Sequence, residues 1–402
     1  MKWGNVKVGD CCEVTSSKRI FFSEYVDSGV PFYRSKEIIE SSNGQAISEP
    51  LFISQEKYDE IKNHFGVPQS GDMLLTSVGT IGVPYIVRKK DYFYFKDGNL
   101  TWFRNFSDEL DSKYLYFWVK SSEGQSVLNN TTIGSSQKAL TIASLKGLEI
   151  PCPPAPVQKR IVEFLAGYDD LIENNQKQIK LLEEAAQRLY KEWFVDLRFP
   201  GYETTPIVDG IPQGWERMVL SEVTSVLKRG ISPKYSDNGK YSVINQKCIR
   251  SSIMDISESR RQEKEYVPTL NLQDSDTVIC STGTGTLGRV GRVYGDYPNT
   301  TFDSHVTLVR AKENPNYIYH VVKSQQEYLM GMGRGSTNQQ ELYRDVIERL
   351  VVLCPSQDIL LKADRALNAI HCKIKAVYLQ NNLLVESRDR LLPKLMSGEI
   401  EV

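Results

Sequence analysis

Gly71-Asp72-Met73-Leu74-Leu75-Thr76-Ser77-Val78-Gly79-Thr80 and Ser275-Asp276-Thr277-Val278-Ile279-Cys280-Ser281-Thr282-Gly283-Thr284 are two versions of one ten-residue phrase, 204 residues apart (275 − 71). Each has an aspartate near its start, an apolar middle and a Gly-Thr close. Working outward, Trp3-Gly4-Asn5-Val6 matches Trp215-Glu216-Arg217-Met218, and Tyr114-Leu115-Tyr116 matches Tyr317-Ile318-Tyr319. Leu148, Ile150, Cys152 and Pro153 match Leu350, Val352, Cys354 and Pro355, and Leu182, Glu184, Arg188 and Leu189 match Leu384, Glu386, Arg390 and Leu391. These offsets are 212, 203 and 202 residues (215 − 3, 317 − 114, 350 − 148). So steady a spacing means a tandem duplication of a unit of about 200 residues, far too long a period for a solenoid.

Each copy reads as a globular segment followed by one long helix. The boundaries expected are 1–150 and 201–353 for the globular segments, with helical regions at 151–200 and 354–402. After the proline cluster Pro151-Cys152-Pro153-Pro154-Ala155-Pro156, which is expected to precede rather than interrupt a helix, a 3-4 seam begins. It runs Leu165, Tyr168, Ile172, Asn175, Ile179, Leu182, Ala186, Leu189 and Trp193. The second seam is Leu360, Ala363, Leu367, Ile370, Ile374, Val377, Asn381, Leu384, Arg388 and Leu391. Such a narrow apolar stripe is the mark of helix pairing, and one mid-seam Asn in each (Asn175, Asn381) is the type of residue that sets register. The alternative is that each helix packs only on its own domain. Helices of about 30 residues would run about 45 Å at 1.5 Å per residue, too long for one small domain, so an antiparallel pair with pseudo-two-fold symmetry is expected. That length matches roughly 13 base pairs of duplex.

The globular segments alternate short apolar runs with Gly, Asn, Asp and Ser turns. Strands are expected at Leu74-Leu75, Ile81–Val87, Val278-Ile279 and Arg289–Tyr294, and helices at Lys57–Phe65, Lys113–Ser121 and Tyr317–Tyr328. The fold class is α+β, two such domains joined by two long coiled-coil helices, each domain with one central, strongly bent sheet. The chain has 402 residues, 40% hydrophobic and 25% charged, which excludes a disordered or collagen-like polymer. The opening Met1-Lys2-Trp3-Gly4-Asn5 lacks a signal-type apolar core, and a cytoplasmic protein with no membrane association is expected. The 7 cysteines are odd in number with no Cys-x-x-Cys, and the 4 histidines have no metal-ligand spacing. No disulfide framework and no metal site are expected.

Motifs for catalysis fail on inspection. Gly283-Thr284-Gly285-Thr286-Leu287-Gly288 fits G-x-G-x-x-G, but that pattern needs a helix after it, and Arg289–Tyr294 reads as a strand. As a P-loop it lacks the Lys-Ser/Thr pair. Asp108 with Asp111-Ser112-Lys113 mimics a nuclease acid set weakly and is more simply a helix start. No catalytic residue is assigned.

Basic residues cluster instead. Lys18, Arg19, Arg34 and Lys36 lie in one loop-rich region, and Lys228, Arg229, Lys234, Lys240, Lys247 and Arg250 lie in the matching region of the second copy. Phe21, Phe22, Tyr25, Tyr235, Tyr241, Asn245 and Gln246 are interleaved with them. Lysine and arginine suit phosphates, whereas Arg, Asn and Gln suit base edges. Net charge is only −1, from 49 basic and 50 acidic residues, so DNA binding would depend on a local basic face. The candidate contacts are Lys18, Arg19, Arg34, Lys36, Arg229, Lys234, Lys240, Gln246 and Lys247, with Ser77, Thr80, Thr284 and Arg289 of the Gly-Thr loops and Lys138 of the polar loop 134–138, which corresponds to loop 335–340. The copies diverge most over 15–70 and 227–274, as two heads reading different targets would.

Three stretches carry a resemblance to a known family. They are Ile211-Pro212-Gln213-Gly214-Trp215-Glu216, then Pro151-Cys152-Pro153-Pro154 through Gln158-Lys159-Arg160-Ile161 to Phe199-Pro200-Gly201, and Arg388-Asp389-Arg390-Leu391-Leu392-Pro393-Lys394-Leu395-Met396-Ser397-Gly398-Glu399-Ile400. The chain resembles the specificity subunit of type I restriction-modification systems over essentially its whole length. The resemblance implies two target-recognition domains, each reading half of a gapped double-stranded DNA site. It also implies paired helices that set the gap and dock two modification subunits. Those partners would hold S-adenosylmethionine and methylate adenine N6. Restriction subunits would supply ATP- and Mg-dependent translocation and cleavage, and this chain would hold no cofactor and catalyse nothing itself. Readings as a self-sufficient restriction or methyltransferase enzyme, or as a coiled-coil scaffold, stand as alternatives. One departure is Cys354-Pro355-Ser356-Gln357-Asp358-Ile359, which replaces the Pro-Pro…Gln-x-x-Ile pattern of the first copy, so the second helix start is expected to be contacted differently. Pro393 with Gly398 is expected to stop the last helix.

Overall fold

The computed structural model describes residues 3–44, 47–134, 138–283, 285–335 and 340–401. It falls into two compact units, Met1–Gln176 with Gln380–Val402, and Lys177–Leu379. Each long helix is therefore divided between units.

The shared phrase of the sequence becomes the same buried strand in both. In the first unit Glu13–Thr15, Leu100–Arg104, Met73–Thr76 and Pro84–Ile86 lie side by side in that order, all antiparallel. In the second, Thr224–Arg229, Val306–Ala311, Thr277–Cys280 and Val290–Arg292 repeat the order and directions. Both central strands are buried at every residue, Met-Leu-Leu-Thr in one and Thr-Val-Ile-Cys in the other, as strands covered on both faces must be. A two-stranded ribbon closes each copy, Asn5–Lys7 with Glu149–Pro151 and Glu216–Val219 with Val351–Cys354.

The expectation of one central sheet per domain is corrected. Each unit has a second sheet, built mostly from its divergent middle with one strand from beyond it. In the first unit the order is Tyr25–Val26, Leu51–Ile53, Val30–Tyr33, Tyr94–Phe95. In the second it is Arg260–Gln262, Tyr241–Ile244, Thr300–Phe302. Both contain one parallel pair, Phe32 opposite Tyr94 and Val243 opposite Thr301. In the first unit these strands bury a cluster around Val30, Phe32, Ile53 and Tyr94. In the second, the cluster around Ile244, Met254 and Phe302 is shared with Val278, Cys280, Val306 and Leu308 of the first sheet.

The expected short helices form, with capping that explains their starts. Ser54 accepts from the Lys57 amide at 3.1 Å and opens Gln55–Phe65, which Gly66 ends at φ +81. Asp111 accepts from the amides of Lys113 and Tyr114 and opens Ser112–Lys120, so this acid is a cap. The Tyr317–Tyr328 segment forms two helices, Pro315–Ser324 and Gln326–Gly331.

The long helices are Ala155–Tyr190 and Gln357–Ser397. Two proline readings change. Pro156 lies inside the first helix, in the first turn, where its missing N–H has no partner to lose. Pro393 lies inside the second, which runs on to Ser397 and stops at Gly398 with φ +72. Leu392, Leu395 and Met396, packed into the first unit's core, hold the helix through that proline.

Within each unit the helices pack on each other and also on the domain. In the first unit Asp169 meets Arg388 at 2.6 Å, the Asn381 amide donates to the Ile172 carbonyl at 3.4 Å, and the Asn175 amide donates to Gln380 at 3.4 Å, an antiparallel register. In the second unit Ile179 and Leu182 meet Ile370, Ile374 and Tyr378. Leu165, Ile172, Asn175, Leu367, Ile374, Val377 and Asn381 are buried, and Tyr168, Ile179, Leu182, Leu189, Ile370, Leu384 and Leu391 are half-buried. Off the seam, Leu171, Leu181 and Leu383 are exposed. Leu165 also joins Ile161 and Val162 in the core of the first domain. Among the described residues no helix is long and apolar enough to cross a membrane.

Candidate nucleic-acid interface

In both units the Gly-Thr loop is stitched to the segment just before the long helix by the same bridges. Val78 pairs with Ala139, which pairs with Ile133, and Thr282 pairs with Glu341, which pairs with Arg334. The amides of Leu140 and Leu342 donate to the carbonyls of Ser77 and Ser281 at 2.9 and 2.8 Å. Two loops distant in sequence thus form one rim in each domain, beside the second sheet.

Ser77 is a correction. Its hydroxyl is buried and shares a 2.6 Å hydrogen bond with Thr101, as Ser281 does with Thr307. The pair ties two strands together and presents no hydroxyl to a ligand. Thr80 and Lys138 are exposed on the first unit's rim. Thr284, and loop residues 135–137 and 336–339, lie outside the described residues.

Most of the candidate cations have intramolecular partners. Arg19, itself exposed, pairs with Asp97 at 2.9 Å, and Lys36 pairs with Glu49 at 2.8 Å. Arg34 pairs with the fully buried Glu37 at 2.6 Å while its own amide donates to the same carboxylate, so it caps the helix Ser35–Ser42. Lys18 lies over the Phe65 ring at 4.1 Å. In the second unit Arg229 donates to the Ser304 carbonyl and pairs with Glu341. Lys234 pairs with Glu263 at 2.9 Å, and Lys240 sits near the Tyr241 ring at 5.2 Å. Gln246 braces the Gly-Thr loop, its amide donating to the carbonyl and hydroxyl of Thr282 at 2.9 and 2.8 Å. Lys247 is exposed and Arg289 half-buried. The strand Val290–Arg292 follows this loop, so the loop does not lead into a helix.

The solvent-facing pairs Arg19–Asp97, Lys36–Glu49 and Lys234–Glu263 are weak, about 0–1 kcal/mol. The structure adds residues that sequence reading left out: Arg260 stacked over Tyr235 at 3.6 Å, His305 bonded to Thr282 at 2.6 Å, and the exposed Arg334 near Tyr343. Arg260 could have been found from the Arg260-Arg261 doublet.

Among the described residues no group of three or more His, Cys, Asp or Glu is placed to hold a metal ion. Burial pushes the thiols of Cys12 and Cys280 up to about 12, which makes them poor nucleophiles.

The model of the type I restriction modification DNA specificity domain matches residues 1–184 and again 212–359, one match for each copy. The chain is 28% identical over 426 residues to the type I restriction enzyme MjaIX specificity subunit of Methanocaldococcus jannaschii, covering 100% of this chain and 94% of that one. It is 22% identical over 335 residues to the type I restriction enzyme HindI specificity subunit of Haemophilus influenzae, covering 65% of this chain and 71% of that one. The crystal structure of a type I restriction-modification S subunit from M. genitalium shares the fold with a TM-score of 0.58 at 16% identity, over 98% of this chain and 96% of that one. With both copies matched and the fold shared along the whole length, the chain belongs to the type I restriction-modification DNA specificity family.

Proposed function

We propose that this chain is the DNA-reading, non-catalytic subunit of a type I restriction-modification complex in the cytoplasm, each domain recognising one half of a bipartite, gapped duplex site. One observation carries the reading: both units keep the same first sheet and rim, while the second sheet beside them, with its basic and aromatic side chains, differs between copies. Common scaffold with divergent surface is what two readers of unlike half-sites require. The paired helices set the gap and dock two modification subunits. Those partners bind S-adenosylmethionine and methylate adenine, and restriction subunits bring ATP and Mg.

Exchange of residues 1–150 for those of a relative, followed by mapping of methylated sites in cells, tests this. One half of the motif is expected to change while the other half and the gap persist. A change in both halves together would overturn the two-reader model. Binding should also weaken with salt, with a log–log slope of roughly −0.9 per phosphate contacted.

A further inference from the structure

Among the described residues the most exposed large apolar side chain in the first unit is Phe22, 88% exposed, and its neighbour Phe21 is 61% exposed. A single exposed apolar residue needs no explanation, but this pair is rigidly mounted. The Phe21 amide donates to the Glu24 carboxylate at 2.8 Å, and the Glu24 amide donates to the Phe21 carbonyl at 2.9 Å. Glu24 is held in turn by Lys57 at 3.1 Å. Behind the tip runs a file of rings into the core: Phe22 to Tyr25 at 5.6 Å, Tyr25 to Phe32 at 5.3 Å, Phe32 to Tyr94 at 6.5 Å. Phe32 and Tyr94 are buried. The tip borders an open cleft of about 630 Å³ whose lining includes Arg19, Tyr25, Arg34 and Lys96.

Apolar rings held outward on a fixed mount, beside cations, match the chemistry of a duplex: bases offer apolar faces and thymine methyls, and the backbone offers phosphates. A protein surface would meet the rings as well, but the cleft they border carries Arg19, Arg34 and Lys96 against one lining carboxylate, Asp97, which pairs with Arg19, so its lining keeps a positive excess that suits phosphates. The second copy has no such tip. After the matching Lys228-Arg229 it runs Gly230-Ile231-Ser232-Pro233, without an aromatic residue.

We propose that the Phe21-Phe22 tip is a specificity-determining wedge of the first domain, the Phe22 ring packing against bases of the half-site while the cations of the adjoining cleft meet the flanking phosphates. The proposal rests on the DNA-reading function above and names the residue that sharpens it.

The test maps methylated sites in cells carrying the whole chain with its methyltransferase partners, as wild type, Phe22→Ala and Phe22→Tyr. Phe22→Ala is expected to lose roughly ten- to a hundred-fold discrimination at one or two positions of the first domain's half-site. The other half should stay intact, and Phe22→Tyr, which keeps the ring, should retain the motif. Thermal unfolding of the purified Ala variant should match wild type, since the ring is exposed. A Phe22→Ala motif identical to wild type overturns the wedge, as does equal loss from both halves with unfolding unchanged. Failure of the underlying reading is separately visible, because the wild-type chain would then add no bipartite motif at all.

Discussion

Where helix pair meets domain, the two units use opposite chemistry on equivalent backbone. In the first, Asp169 of the long helix takes Arg388 at 2.6 Å and Lys120 at 3.6 Å. In the second, the counterpart of Asp169 is His371, 202 residues on (371 − 169). Its Nε2 lies 3.0 Å from Nε2 of His320, and its Nδ1 lies 2.8 Å from the Tyr294 hydroxyl. His320 stands where the first copy has Phe117, and beside it are the buried Arg292 and Lys323, the counterpart of Lys120. Burial, with Arg292 adding to it, holds His320 down to about 3 and His371 down to about 2. One junction is a half-exposed ion network, and the other sets two neutral imidazoles and a tyrosine hydroxyl beside a buried guanidinium. Duplication thus preserved the joint's geometry and left its charge free to vary.

A second contrast lies at the helix starts. Gln158 is fully buried. It accepts from the Asp111 amide at 2.9 Å and donates to the carbonyls of Glu109 at 2.7 Å and Pro153 at 2.8 Å. The second copy has no glutamine there. There Asn314, the counterpart of Asp111 (111 + 203), takes the left-handed region at φ +54, and Pro315 opens the domain helix. The hydroxyl contact behind it is kept in both copies: Tyr114 donates to the Pro151 carbonyl and Tyr317 to the Leu353 carbonyl. The departure visible at Cys354–Ile359 is therefore a change of contacts at the helix start.

The largest expected effect breaks this second contrast. Gln158→Leu removes the side-chain partner of three backbone groups, one in a buried contact and two in part-buried ones, and should cost about 2 kcal/mol, read by denaturant unfolding. A cost below about 1 kcal/mol would mean that the first copy's helix start is as self-sufficient as the second's.

The junctions predict different acid responses. Because folding depresses both imidazoles, the unfolded chain binds more protons below pH 6.5, and stability should fall as pH falls through that value. Glu183, raised by burial from 4.5 to about 7, opposes this with one proton against two. The net loss between about pH 7 and 5.5 should be about 1 kcal/mol. His320→Phe, which copies the first unit, should flatten the profile. An unchanged slope would remove the histidine pair as its source. The smallest effect concerns the turn before the shared strand, where Gly71 has φ +96 but Ser275 holds φ +71. Ser275→Gly should stabilise by about 0.5 kcal/mol, relief of strain exceeding the added chain entropy, visible as a small rise in midpoint temperature. A fall would show the serine to be at ease there.

Duplication, seams and two of the four strands in each first sheet were legible because apolar periodicity and a ten-residue repeat survive in the sequence. The second sheet was not. Its strands, such as Tyr25–Val26 and Tyr94–Phe95, are two to four residues long, and the parallel partners are distant in sequence. The cations were visible as residue types, but their partners, Arg19 with Asp97 and Arg229 with Glu341, meet only through tertiary folding. Ser77 looked available because a hydroxyl in a Gly-Thr loop and one at a strand end read alike. His320 and His371 carried no spacing signal at all, since helices distant in sequence bring them together.

The split of each long helix between units has a cost during synthesis. Leu392, Leu395 and Met396 finish a core whose other members, such as Leu165 and Trp118, precede residue 177. At 5–20 residues per second, a ribosome needs roughly 10 to 40 seconds to bridge that interval. For that time the nascent amino-terminal module waits with an uncovered apolar face, a natural substrate for chaperones until the tail arrives.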